Sequence, residues 1–387
     1  MSLPSIFYKV GNTIHHKKIN AVLDANAKNE DISWHFFDDI FQKNDWLNEP
    51  VEDINTLYYI RARQIRESYD YVVLLCSGGA DSTNVLYSFL NQQIVPDEII
   101  VSAPLSGLSN YEFNQYDTNH TNTISETKYA QLPLAQEVIT KYPKIKVTLN
   151  DYFQDMIDYT NQSWIVDCDD WMHPSSASRY RFQQHKHLVS IAESGKRVAF
   201  VYGIDKPFVS IGKNDEIYVS VSDLAYNVMR PPFDNEYTNV ENVMFYWDPN
   251  NVKCITKQAH IVARNVLNYN NPISTYMLNI NKLPKTYIQY RYNQSKYERG
   301  IVPYIYPNLE SRKVFQAEKP SKLFLGEHDY WFYHLHGKTS SYQMMVSETN
   351  SLLKTISPKY LNKGLNGFAV HSKSYKIGNL KNFKNMF

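Results

Sequence analysis

The spacing of apolar residues changes several times along this chain, and each change marks an element. In "VEDINTLYYIRARQIRES" (51–68), Ile54, Leu57, Tyr58, Arg61 and Ile65 recur at roughly 3.6 residues, which predicts a helix within the N-terminal stretch 1–70. "YVVLL" (71–75) is a continuous apolar run with β-branched members, the pattern of a strand buried on both faces of a parallel sheet. A helical period follows. Asp81 and Ser82 suit its start, Val85, Leu86, Phe89 and Leu90 form its stripe, and "NQQ" ends it.

The alternation continues down the chain. "EIIVSA" (98–103) reads as a second strand, "SETKYAQLPLAQEVITKY" (125–142) as a helix interrupted at Pro133, and "KIKVTL" (144–149) as a third strand. "DYFQDMIDYT" (151–160) and "SSASRYRFQQHKHLVSIAESG" (175–195) read as helices, the second with a Ser cap and a terminal Gly, and "RVAFVYG" (197–203) as a fourth strand. Such alternation predicts an α/β fold with a doubly wound parallel sheet. Beyond it, "FVSIGKNDEIYVSVS" (208–222) reads as a hairpin turning at Lys213, Asn214 and Asp215, and "NNVKCITKQAHIVARNVLNY" (250–269) as a helix. The expected organisation is an N-terminal helical extension (1–70), the sheet domain (71–222) and a second, C-terminal domain (223–387) that ends in a loosely ordered tail.

Composition adds class and compartment. Hydrophobic residues make up 43% and charged residues 20%, as in water-soluble globular proteins. No apolar run reaches the roughly 18 residues of a membrane span, and "MSLPSIFYKVGNTIHHKK" lacks the parts of a secretory leader, so a cytoplasmic chain with no membrane partner is expected. Cys76, Cys168 and Cys254 stand apart, which argues against a disulfide framework or a structural zinc. The net charge of +1 conceals an asymmetry: from residue 281 onward 17 lysines and arginines face 6 aspartates and glutamates, and no acid follows Glu348. There, Lys285, Arg291, Lys296 and Arg299 alternate with Tyr287, Tyr290, Tyr292 and Tyr297. That pattern suits a nucleic-acid backbone with stacked bases, and equally a tyrosine core with charges outside.

The densest chemistry lies at the junction after the first strand, "CSGGADST" (76–83). Ligands of open parallel sheets bind beyond the carboxyl ends of the strands, where such a loop meets a helix N-terminus. Gly78 and Gly79 permit backbone angles that aim successive N–H groups at one point, and the helix adds its positive end. Ser77, Ser82 and Thr83 supply hydroxyls, so the segment reads as a phosphate cradle. The lysine of G-x-x-x-x-G-K-[ST] is absent, as is G-x-G-x-x-G.

S-G-G-x-D-S after a first strand resembles the pyrophosphate loop of the PP-loop ATP pyrophosphatases, matched here at Ser77, Gly78, Gly79, Asp81 and Ser82. The likeness spans residues 71–206. It implies a HUP-type fold, similar to the adenine nucleotide α-hydrolases, with ATP and Mg2+ as cofactors. It also implies cleavage of ATP between the α and β phosphates, with adenylation of an acceptor oxygen. In that setting Asp81 lies near the magnesium; as local structure it caps its helix. "GIDKP" (203–207) follows the fourth strand on the same rim, with Asp205 as a magnesium ligand and Lys206 as a holder of leaving pyrophosphate, or as a plain Lys-Pro turn. The end of the second strand, "VSAP" (101–104), implies an adenine pocket that includes Ser102. Asp167, Asp169, Asp170, His173, Arg179 and Arg181 form a weaker cluster, and Lys257 and His260 read as a site-facing pair or a solvated helix face.

Cysteine usage narrows the reaction, since no Cys-x-x-Cys and no cysteine after Cys254 argue against sulfur transfer and sulfonucleotide reduction. No long glutaminase domain with a terminal Cys precedes the loop. The expectation is an ATP-dependent, AMP-forming ligase or amidating enzyme using Asp81, Asp205 and Lys206 on an unnamed acceptor. The alternatives are an ATP-dependent modifier of tRNA or DNA bases, bound through the basic C-terminal region, and a non-catalytic nucleotide-binding protein.

Overall fold

The computed structural model of the chain describes residues 6–110, 127–154, 186–203, 207–223, 239–268, 302–309, 333–334, 336–344, 347, 351 and 370–384. The N-terminal stretch is not simply a helical extension. β1 (Ile6–Val10) pairs antiparallel with β2 (Thr13–His15) and β3 (Ile32–Phe36), and α1 (Lys18–Lys28) packs on this small sheet. The signal was a period of two: Trp34 and Phe36 are buried, while His35 between them is half-buried and Ser33 before them is exposed. After the short α2 (Asp38–Phe41), α3 (Ile54–Ser68) is the expected helix, its first turn capped by Asp53, which accepts from the Thr56 N–H at 3.0 Å.

The centre is α/β with an all-parallel sheet. β4 (Tyr71–Leu75), β5 (Glu98–Ala103), β6 (Lys146–Asp151), β7 (Val198–Tyr202) and β10 (Val240–Met244) lie in the order β10-β7-β4-β5-β6. β4, β5 and β7 were legible as apolar runs because strands inside such a sheet are covered on both faces; all five residues of β7 are buried, whereas β6 at the edge has one buried residue. Between β4 and β5 runs α4 (Ala80–Leu90), in which every residue but Asp81 is buried. Pro133 does not interrupt a helix. It sits in the first turn of α5 (Leu132–Lys141), where a missing N–H costs nothing, and Thr127–Gln131 precede it as a π-helical turn. α6 (Lys186–Glu193) leads into β7.

The strand β10 lies past residue 222, so the sheet draws on both sides of the expected domain boundary. The hairpin is present as β8 (Phe208–Ile211) and β9 (Glu216–Ser220), with Asn214 and Asp215 at positive φ in the turn. α7 (Val252–Asn268) follows β10 and packs on α3. Its Lys257 and His260 turn away from the glycine loop: Lys257 reaches the Pro50 carbonyl at 2.9 Å and Glu49 at 2.8 Å, and His260 bonds the Trp46 carbonyl at 3.0 Å. Burial pushes the His260 imidazole below its ordinary pKa. α8 (Val302–Ile305) and the turn Pro307–Leu309 lie against α7 and α4.

The described part of the tail is ordered. β11 (Tyr375–Asn379) joins β9 as the third strand of an antiparallel sheet, and α9 (Leu380–Lys384) packs on α7. Ile377 and Phe383 are buried, and Tyr375 stacks on Trp46 at 4.9 Å. Two tail lysines are held in ion pairs, Lys373 with Asp38 at 3.2 Å and Lys376 with Glu216 at 2.5 Å. Buried Asp223 joins first and last sheets by accepting from Tyr8 Oη at 2.9 Å, Lys18 Nζ at 2.5 Å and the Val370 N–H at 2.8 Å.

At the rim where the parallel strands begin, Glu98 is fully buried. Its carboxylate accepts from Tyr71 Oη at 2.9 Å, Lys146 Nζ at 3.3 Å, His187 Nε2 at 2.8 Å and the Thr148 hydroxyl. This single group links β4, β5, β6 and α6.

Candidate functional site

The opposite rim holds the carboxyl ends of the same strands. The chain runs outward from β4 through β5 to β6 and then returns to β7 on the other side of β4, so the loops after β4 and β7 diverge at a topological switch point. Cys76 continues the ladder with its N–H on the Ile100 carbonyl at 2.9 Å, and the chain then turns through Ser77, Gly78 and Gly79 into α4. Burial pushes the Cys76 thiol up to about 12, and that of Cys254 likewise, which removes both from thiolate chemistry. Cys168 lies outside the described residues.

The two serines brace the loop from within. Ser82 Oγ accepts from the Ser77 N–H at 3.1 Å and lies 3.2 Å from Ser77 Oγ, which accepts from the Gly79 N–H at 3.3 Å. The glycines differ in their roles. Gly78 has φ +71°, and a Cβ there would fall 2.5 Å from the backbone of Ala130 in the π-helical turn. Gly79 has ordinary angles, φ −70° and ψ 166°, and is the N-cap of α4, without a side-chain capping bond. The N-cap therefore contributes no side-chain bond to that first turn, and the helix presents its positive end to the rim.

Gly203, the first residue after β7, allows the two loops to meet: a Cβ there would lie 2.8 Å from Val85 Cγ2 and 3.0 Å from the Asp81 carbonyl oxygen. A glycine closing a strand was the available sign of this close approach. The next residues, including the expected Asp205 and Lys206, lie outside the described residues, as do Asp167, Asp169, Asp170, His173, Arg179 and Arg181. Thr83 is 4% exposed, and its Oγ1 has no hydrogen-bond partner among the described residues. Ser102 is buried at the end of β5, its Oγ accepting from Asn150 Nδ2 at 3.2 Å and its carbonyl from Gln131 Nε2 at 3.4 Å. Gln131 Oε1 is likewise buried without a partner among the described residues. The π-helical turn thus touches both the glycine loop and the end of β5.

Asp81 is held by residues that no local pattern marks. Tyr306 Oη donates to Asp81 Oδ1 at 2.5 Å, and Tyr246 Oη donates to the Asp81 carbonyl at 2.8 Å while accepting from Asn84 Nδ2 at 3.0 Å. Both phenols are pushed well above their ordinary pKa, first by burial and then by the Asp81 charge. Among the described residues no group of three or more His, Cys, Asp or Glu side chains could hold a metal ion, so Asp81 is the candidate ligand that the described rim offers. One carboxylate is enough for a magnesium ion carried by phosphates, which typically keeps water and phosphate oxygens as its other ligands. A helix N-terminus without a side-chain cap and the Thr83 hydroxyl, unpaired among the described residues, fit a phosphate chain.

No family model, curated protein or solved structure matches this chain. Among the described residues no helix is long and apolar enough to cross a membrane.

Proposed function

We propose that the protein is an ATP-dependent, AMP-forming ligase or amidating enzyme built on a HUP-type fold. One observation carries the reading: S-G-G-A-D-S leaves β4 at the switch point of the parallel sheet and opens an α4 whose N-terminus has no side-chain cap. In this reading the N-terminus of α4 binds the β and γ phosphates, Ser77 and Ser82 keep the loop in shape, and the end of β5 at Ser102 borders the adenine. Asp81 would hold a magnesium ion that neutralises phosphate charge. Asp205 and Lys206, which follow Gly203 in the sequence, would serve the metal and the leaving pyrophosphate respectively.

The chemistry follows from which charge the loop can stabilise. An acceptor oxygen attacks the α phosphorus, the bond from that phosphorus to the α–β bridging oxygen breaks, and its electrons leave with pyrophosphate. The loop supplies donors where that negative charge collects but has no lysine of the kind used in γ-phosphoryl transfer. A nucleophile then takes the acceptor and AMP departs. Incubating the full chain with α-labelled ATP, Mg2+ and fractionated acceptor pools tests this. The expected products are AMP and pyrophosphate in equal amounts, dependent on acceptor; ADP and phosphate would overturn the reading.

A further inference from the structure

We infer that Tyr306 is a positioning residue for Asp81, so that a segment 225 positions further along the chain sets the geometry of the loop's carboxylate. The inference rests on the nucleotide-binding reading and adds a part that the loop motif does not contain. Asp81 is the one residue of α4 that is not buried. A carboxylate in the first turn of a helix has several rotamers open to it. Here one oxygen is engaged by a phenol that cannot move: Tyr306 is fully buried, with its ring 5.6 Å from Tyr246 and 6.2 Å from Tyr58.

The segment that carries Tyr306 is fastened on both sides of it. Tyr58 Oη, itself accepting from Gln258 Nε2 at 2.7 Å, donates to the Ile305 carbonyl at 2.7 Å. Asn308 Oδ1 accepts from Tyr59 Oη at 2.9 Å and from Asn91 Nδ2 at 3.1 Å. Helix α3 and the C-cap of α4 therefore hold residues 305–308, α7 braces Tyr58 through Gln258, and Tyr246 fixes the backbone of Asp81 from just past β10.

The choice of tyrosine has a chemical consequence. Lysine or arginine at this point would also orient the carboxylate but would cancel its charge toward a cation, whereas a phenol donates one hydrogen bond and stays neutral. The arrangement orients Asp81 without setting a positive charge beside it.

The test is calorimetric titration of the full chain with ATP at a series of Mg2+ concentrations. In wild type, Mg2+ should tighten ATP binding. Tyr306→Phe, which keeps the packed ring, should bind metal-free ATP as wild type does but need roughly tenfold more Mg2+ for half of the gain. Asp81→Asn should lose the gain, and adding Tyr306→Phe to it should change nothing further. Asn308→Ala, which loosens the same segment and keeps the phenol, should shift the Mg2+ midpoint the same way by a smaller factor. It carries the test if Tyr306→Phe does not fold. An unchanged Mg2+ midpoint in the folded variants, or an equal loss from Tyr306→Phe with and without Asp81, would reduce Tyr306 to packing. Wild type that binds no ATP at any Mg2+ concentration would overturn the nucleotide reading and this inference together.

Discussion

Where β4, β5 and β6 begin, Glu98 is buried and every donor around it is directed at its carboxylate; where the same strands end, the glycine loop opens a helix with no side-chain cap, and Thr83 Oγ1 and Gln131 Oε1 lie buried without partners among the described residues. Both rims are polar and both belong to one sheet. They differ in whether the polar groups already satisfy one another. A saturated cluster has nothing left to bind with, so Glu98 serves stability, whereas unsatisfied donors and acceptors cost folding free energy and make sense beside a ligand. The difference gives Glu98 a structural role and leaves polar groups at the other rim for a ligand to satisfy.

The largest expected effect lies at the saturated rim. Glu98→Ala strands four donors and should lower stability by about 3 kcal/mol without changing nucleotide affinity, as read by urea denaturation and by ATP titration. The same group makes this rim pH-sensitive. Burial pushes the Glu98 carboxyl up, but hydrogen bonds from Thr148 and Tyr71 and the charges of His187 and Lys146 outweigh it and hold it below its usual range. Its contribution is therefore present above the unfolded pKa of about 4.3 and disappears as pH falls through the folded value. Glu98→Gln should flatten that acid limb of a melting-temperature profile; an unchanged limb would mean that the cluster is not what titrates.

Next come the paired glycines of the open rim. Gly78→Ala forces a side chain into a positive-φ residue against the Ala130 backbone and should cost about 2 kcal/mol. Gly79→Ala, at ordinary angles, should leave stability within about 0.5 kcal/mol and weaken ATP binding instead. Equal destabilisation by both would contradict the division of labour inside the loop.

The smallest effect is the most diagnostic for the comparison. Thr83→Val keeps the shape and removes a buried hydroxyl that has no partner among the described residues, so the nucleotide-free protein should gain up to about 1 kcal/mol in stability while ATP binds less tightly. Opposite signs in the two measurements are the mark of a group kept for a ligand. Loss of stability in the free protein would show that the hydroxyl is satisfied after all.

Local pattern carried much of this fold. β4 and β5 begin and end where their apolar runs do, the 208–222 hairpin turns at Asn214 and Asp215, and the loop stands where its strand and helix require. What pattern missed depends on distance along the chain. β10 is a short run, "VENVM", whose Glu241 and Asn242 are exposed, so it lacks the continuous apolar signature of the inner strands. Tyr246 and Tyr306 bond to a helix 165 and 225 positions away, and nothing in their own neighbourhoods records it. Reading the tail by its lysines also misled, because alternation in "YKIGN" was the better guide to β11 than charge was.

The late arrival of β11 has a consequence for how the protein is made. Ser220 and His371, neighbours beside the antiparallel sheet, are separated by 151 positions, so during synthesis the β8–β9 hairpin emerges with one edge unpaired until nearly the whole chain has followed. An open strand edge is a template for pairing with another chain. Ribosomes queued on one message would hold several such edges close together, and a stall after residue 220 would prolong the exposure. Expression yield should therefore depend on elongation across that interval, and a chaperone that covers strand edges would act on the nascent chain rather than on the released protein.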